Sequence, residues 1–449
     1  EVLKKDNLSS IPLNNIHAVT VPGAVDGWIQ LSEKFGALPL EDCLESSAKL
    51  ADKGFPVAEW VDIYWQEQLE SLSTSEESTR VFLLDEGGKK RTPKTGEVVK
   101  NPDLAHTYRV IGKEGRKGFY EGEIVDKILA VSNQLGGTLA KEDFAEFSSE
   151  WVEPLSTKYR DMTVYELPPN GQGIAALMML NILENFDLEK SGHNTSDSLH
   201  LLIEAKNMAY VDMMKHNADM LRAKVPVKEM VSKEYSATRA KEIDLKKTND
   251  QPAPYPFPET SDTTYLSVVD KDGNMVSLIQ SIYTSFGTAI TPLGTGFCLQ
   301  NRGNLFSLDP KHPNFLEGRK RPFHTIIPGF MERGNEKYAF GIMGGFNQAQ
   351  AHAQYVSNIV DHKMNIQAAM EAPRFTKHNL TGPMVLLEGG MKNETYESLK
   401  EKGHDVRVQS RYFAAMGGGQ VTMRNFETKV NYGASDPRKD GAAVPQLLL

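Results

Sequence analysis

The sequence predicts an α+β protein in which helices cover stacked sheets. Three observations carry that expectation. Helical apolar spacing dominates the first half of the chain. The polar, proline-rich stretch KKTNDQPAPYPFPETSD, residues 246–262, cannot continue a helix and reads as an extended, exposed linker. Beyond it, YLSVVD, NMVSLIQSI and GTGFCLQ alternate or cluster apolar residues between glycine turns, as packed strands do.

Taken in order, Val25 to Leu50 reads as two scaffold helices broken by Gly36, Pro39 and Gly54. Residues 85–120 are charged and punctuated by glycine, which predicts a solvated loop, and EGEIVDKILAVSNQLG then restores a helix. YELPPNGQGIAALMMLNIL reads as a short strand, a turn and a helix. A further helix runs through HLLIEAKNMAYVDMMKHNAD, where Met208, Met213 and Met214 are core packing rather than a cofactor box. YAFGIMGG and AQYVSNIV suggest another passage from strand to helix. There is no tandem repeat.

A chain of 449 residues with 40% hydrophobic and 24% charged residues has the composition of a folded protein. A formal charge of −9 argues against nucleic acid or an anionic membrane surface as the main partner. Cys43 and Cys298 lack any ligand spacing, so they read as two buried small hydrophobes rather than a disulfide or thiolate zinc site. His17, His106, His312 and His324 form no compact ligand pattern, and no metal or other cofactor is expected. No uninterrupted membrane-spanning run occurs. The chain starts at Glu1 rather than Met and without a signal-like segment, so upstream sequence is expected to be missing, and cytoplasmic and periplasmic or secreted locations both stay open.

The linker ends at Thr263. A threonine there has a plain explanation, because β-branched residues start strands well. Cutting the 262–263 bond would instead give Thr263 a free α-amine beside its hydroxyl. The amine's reference pKa of about 7.7–8.0 suits it to activate an otherwise weak nucleophile.

TTYLSVVDKDGNMVSL, SFGTAITPLGTGF, GRKRPFHTIIP, IMGGFNQAQ, EAPRF and YGASDPR, with HAVTVPGAVDGW, GFYEGEI, LPPNGQG and EAKNMAYVD upstream, resemble the gamma-glutamyltranspeptidase family. The resemblance implies a four-layer αββα N-terminal-nucleophile hydrolase fold, with fragments 1–262 and 263–449 staying associated as one core after self-cleavage between Asp262 and Thr263. It implies catalytic roles for four residues. Thr263 would be the nucleophile, Ser281 would stand for the family threonine that hydrogen-bonds near it, and Gly344 and Gly345 would present backbone N–H groups to the oxyanion. The partners implied are a small-molecule amide, water or an acceptor amine, and the second fragment, with homo-oligomerisation left open.

The resemblance also exposes substitutions. The family holds the donor α-ammonium with Asn, Gln and Asp, and here those positions are Tyr283, Arg302 and Leu305, so an α-ammonium should bind poorly in the family pose. The paired serines near the donor α-carboxylate correspond to His324 and Thr325. The arginine of that carboxylate site falls in a family segment upstream of HAVTVPGAVDGW. Two expectations follow. One is an amidohydrolase or acyltransferase acting on gamma-glutamyl or related dicarboxylic monoamides, with Arg302 and His324 favouring an acyl group that lacks the α-ammonium. The other is a retired relative that binds a small ligand, in which Tyr283 and Arg302 face solvent or each other. Arg374, Asp436 and Arg438 read as a structural loop at least as readily as a pocket, and the run Gly417–Gly419 reads as flexible backbone.

Overall fold

Asn101 and Pro102 show how local chemistry builds this chain. The Asn101 Oδ1 accepts the Leu104 N–H at 3.0 Å, and Pro102, which has no N–H to satisfy, occupies the first helical turn. A helix therefore runs over Pro102–Glu114, where the charge pattern had suggested a loop. In the computed structural model, residue 3 and residues 8–249, 262–379 and 382–446 are described. They divide into two compact units. One comprises Glu1–Trp151, Ile282–Leu308 and Glu317–Arg319, and the other Val152–Ser281, Asp309–Leu316 and Lys320–Leu449.

The first unit is helical, with α1 at Ala24–Phe35, α2 at Leu40–Lys53, α3 at Pro102–Glu114 and α4 at Glu123–Gln134. Its core gathers Ile16, Val25, Ile111, Phe119, Tyr120, Ile124 and Leu299. The Tyr120 hydroxyl inside it donates to the Pro22 carbonyl at 2.6 Å and accepts the Asp26 N–H at 3.1 Å. Cys298 is buried, but Cys43 is exposed on α2 and is not the core residue that its composition suggested. GTGFCLQ forms no strand. Its Gly296 carbonyl instead accepts the Asn101 Nδ2–H at 2.8 Å, against the start of α3.

The second unit is built on a six-stranded antiparallel sheet. Its strands are β1 (Leu155–Tyr159), β2 (Met162–Glu166), β5 (Gly329–Arg333), β6 (Glu336–Met343), β9 (Gly418–Asn425) and β10 (Val430–Ser435), ordered β10-β9-β6-β5-β2-β1. Between β2 and β5 in sequence lies the hairpin of β3 (Asp262–Val269) and β4 (Met275–Tyr283), closed by Asp270 and Asn274. Register pairs Val164 with Met331 and Phe340 with Val421, so strands from both sides of residue 262 share one sheet.

Side chains alternate across β6 as a strand requires. Phe340 turns to His352 and Tyr355 of helix α7 (Asn347–Val360), whereas Gly341 turns to the Tyr265 ring of β3. Helices therefore cover one face and the hairpin covers the other. On the helical face, α5 (Gly173–Leu183) is buried all round, as a helix apolar at every position but Asn181 requires. Helix α6 (Ser196–His216) is capped by the Thr195 hydroxyl, which accepts the Ser198 N–H at 3.2 Å. A smaller sheet carries β7 (Met384–Glu388) and β8 (Asp405–Gln409), joined through α8 (Asn393–Glu401).

Two readings of irregular backbone need correction. Gly418 and Gly419 are buried in β9, opposite Met343 and Ile342, and are not flexible. A Cβ on Gly419 would stand 2.3 Å from the Met370 sulfur, so the glycine serves close packing. The residues read as linker begin tied down, for Thr248 is buried and its N–H donates to the Lys402 carbonyl at 2.8 Å. The remainder of that stretch, residues 250–261, lies outside the described residues.

Candidate functional site

The hairpin is what places Thr263. On β3, Thr263 and Tyr265 point inward and are buried, while Thr264 and Leu266 are exposed. Tyr265 fixes the strand, because its hydroxyl lies 2.9 Å from the Ser277 Oγ, which also donates to the Gly329 carbonyl at 2.9 Å. Two residues earlier, the Thr263 hydroxyl donates to the Ser281 Oγ on β4 at 3.3 Å. Ser281 therefore meets Thr263 directly. Burial leaves Thr263 only 4% exposed, so its hydroxyl is shielded from competing water.

Gly344 and Gly345 occupy the turn from β6 to α7, with φ of 138° and 56°. Both values lie in the left-handed range that favours glycine. A Cβ on Gly344 would stand 3.3 Å from the Gly417 Cα, so backbone approaches backbone here. Gln172, which follows the Pro-Asn-Gly turn before α5, links this turn to His324 and Thr325. Its Nε2 donates to the Gly345 carbonyl at 2.6 Å and to the Thr325 carbonyl at 2.5 Å. Sequence reasoning quoted LPPNGQG as a motif and gave Gln172 no role. The available signal was a polar amide held between a tight turn and a helix that is apolar at every position but Asn181.

His324 lies beside that same turn. Its N–H donates to the Asn170 carbonyl at 2.9 Å, and its Nδ1 accepts the Ile326 N–H at 3.2 Å. The neutral ring then carries its proton on Nε2, as a donor suited to an anionic or carbonyl oxygen. Thr325 is fully buried.

In the other unit, Tyr283 and Arg302 are both buried rather than facing solvent, and they stack. The Arg302 guanidinium lies 5.4 Å from the Tyr283 ring centroid, at the start of a short helical turn that also buries Leu305. Burial pushes the Arg302 pKa down to about 9 while Tyr283 acts to raise it, so the group remains a cation at neutral pH. Tyr283 holds a φ of 80°, uncommon for a bulky residue, where β4 ends.

Arg374, Asp436 and Arg438 form a structural network with Glu388. Arg374 pairs with Asp436 at 2.7 Å, and Arg438 reaches Glu388 at 2.5 Å and Asp436 at 3.0 Å, all within the interior. Two cations and two carboxylates balance there, and Arg438 also donates to the Met370 and Ala372 carbonyls at 3.0 and 2.9 Å. Among the described residues, the one cluster with metal-ligand character is His200, Glu204 and His404, none of which the sequence reading singled out.

A model of the gamma-glutamyltranspeptidase family matches residues 1–446. The chain is 35% identical to the glutathione hydrolase-like YwrD proenzyme of Bacillus subtilis (strain 168), across 97% of this chain and 82% of that protein. It is 32% identical to the glutathione hydrolase proenzyme of Escherichia coli (strain K12), across 93% of this chain and 73% of the relative. Among solved structures, the cephalosporin acylase from Bacillus halodurans matches with a TM-score of 0.90 at 38% identity, covering 98% of this chain and 81% of that one. No described helix is long and apolar enough to cross a membrane. The helix-covered sheet and its stacked hairpin are thus parts of an αββα N-terminal-nucleophile hydrolase fold, and the chain belongs to the gamma-glutamyltranspeptidase family of amide-bond enzymes.

Proposed function

We propose that the chain is cut between Asp262 and Thr263 and then acts as an N-terminal-threonine amidohydrolase or acyltransferase on dicarboxylic-acid monoamides. The observation that carries this reading is the buried Thr263 hydroxyl, 3.3 Å from the Ser281 Oγ on the neighbouring strand. In the mature form the Thr263 α-amine takes the hydroxyl proton as Oγ1 attacks the amide carbonyl. The tetrahedral oxyanion would be stabilised by the Gly344 and Gly345 N–H groups. Its collapse breaks the C–N bond, and the amine leaves with the proton held by the Thr263 amine. The resulting ester on Oγ1 passes its acyl group to water, releasing the acid, or to an acceptor amine, forming a new amide.

The preferred donor in this reading lacks a free α-ammonium. At the family's ammonium-binding positions the chain carries Tyr283, Leu305 and a cationic Arg302, which would repel a second positive charge. His324 supplies an Nε2–H rather than a serine hydroxyl. Glutaryl amides fit this chemistry better than gamma-glutamyl amides.

Denaturing intact mass and N-terminal sequencing of full-length protein test the processing step. A fragment beginning TTYLSVVD is expected from wild type and none from Thr263→Ala, whose amidase rate should fall below about one-thousandth of wild type. A persistent uncut wild-type chain that still turns over substrate would overturn the proposed nucleophile. For specificity, kcat/KM is expected to favour glutaryl over gamma-glutamyl anilide by roughly tenfold or more, with Arg302→Gln narrowing the gap. The opposite preference would overturn the donor assignment.

A further inference from the structure

We infer that His200, Glu204 and His404 form a site for a divalent transition metal of the zinc class, separate from the amide-cleaving residues. A four-residue spacing on α6 puts His200 and Glu204 on one face. His404 comes from the turn between α8 and β8. A ring nitrogen from each histidine and a carboxylate oxygen of Glu204 lie within 4.8 Å of one another, and all three residues are buried. Two imidazoles and a carboxylate are a donor set that zinc uses with a fourth position open.

The surrounding chain orients these donors as ligands. His200 Nε2 lies 2.7 Å from the Asp244 carbonyl, so that nitrogen carries the proton and Nδ1 presents its lone pair toward the cluster. A carbonyl holding the far N–H of an imidazole is the usual second contact of a metal-bound histidine. Glu204 is held in the same manner, its two oxygens accepting the Thr248 hydroxyl at 2.7 Å and the Asn249 N–H at 3.0 Å. One short segment, 244–249, therefore aims both α6 donors. His404 Nε2 stands 2.8 Å from His200 Nδ1 and donates its proton there, while its own Nδ1 is buried and finds no hydrogen-bond partner among the described residues.

A bound ion takes the place of that shared proton. To offer Nε2 to the ion, His404 would move its one proton to Nδ1, and the two nitrogens would separate to about 3.3 Å, the spacing that tetrahedral bonds of 2.0–2.1 Å impose. Imidazole donors with a single carboxylate favour zinc or cobalt over calcium or magnesium, which need more oxygens. His200 and Glu204 precede residue 262 and His404 follows it, so the ion would clamp the chain on both sides of the proposed cut.

The test titrates chelator-treated, full-length wild type with cobalt(II) chloride and then with zinc sulfate. About one equivalent of cobalt should develop the visible absorption of a tetrahedral site, and zinc should displace it. Zinc about a hundredfold above its Kd should raise Tm by roughly 3 °C. Glu204→Gln and His404→Gln are each expected to abolish the band and the Tm shift, whereas Thr263→Ala keeps both, which separates this site from the nucleophile. Absence of the band and of the Tm shift in wild type would overturn the inference, as would a band that survives both ligand substitutions. The wild-type titration decides even where a variant fails to fold.

Discussion

A hydroxyl that must lose its proton benefits from a neighbour that keeps it pointed one way. Ser281 gives Thr263 one such contact, at 3.3 Å in a buried setting. Net hydrogen bonds of this kind contribute about 1 kcal/mol. Ser281→Ala is therefore expected to lower kcat roughly fivefold with KM little changed, measured on a glutaryl anilide. A rise in KM at constant kcat would place Ser281 in binding instead. At this scale the sequence pointed to residues whose own type would suit the proposed chemistry, Thr263 and the glycine pair. It was silent where the role depends on distant partners. Gln172 acquires its place only because Thr325 and Gly345, both more than 150 residues away in sequence, present their carbonyls to it. His200 and His404 are equally remote from each other along the chain and meet at 2.8 Å.

At the scale of elements, β3 has to lie flat on β6 for its first residue to be placed. Gly341 permits this, since a Cβ there would stand 2.4 Å from the Tyr265 ring, and that ring is tethered through its hydroxyl to Ser277. Overpacking a fitted interior costs about 1–3 kcal/mol. Gly341→Ala should lower Tm by a few degrees and slow the appearance of the TTYLSVVD fragment, both read on one preparation over time. An unchanged rate with a lowered Tm would detach hairpin seating from processing. Strand β3 was legible because period-two alternation survives on a half-buried strand, whereas β6, buried on both faces, showed itself as a short apolar run before the glycine turn. The helix at Pro102–Glu114 was masked by surface charge on its outer face, although its Asn-Pro start was readable. GTGFCLQ looked like a strand from its apolar cluster, yet Gly294 and Gly296 hold φ of 66° and 76°, which no regular strand accommodates.

For the whole molecule, periodicity gave helices over sheets and could go no further, because strand order is a non-local property. β2 finds β5 as its neighbour, with Thr163 opposite Glu332, and nothing in either segment names the other. The αββα arrangement was legible only through the family resemblance spread along the chain. That pairing also decides how the mature protein must assemble. Before the proposed cut, β2 and β5 belong to one polymer and can meet at a rate independent of protein concentration. Afterwards they belong to two, and joining them becomes a second-order encounter that dilution slows. Refolding from denaturant should therefore show a half-time that roughly doubles on twofold dilution for the processed protein and stays constant for Thr263→Ala. A concentration-independent half-time for both would mean that the strands never part. The peptide bond at residue 262 would then act as a tether needed once, during first folding, and its loss would make maturation a one-way step.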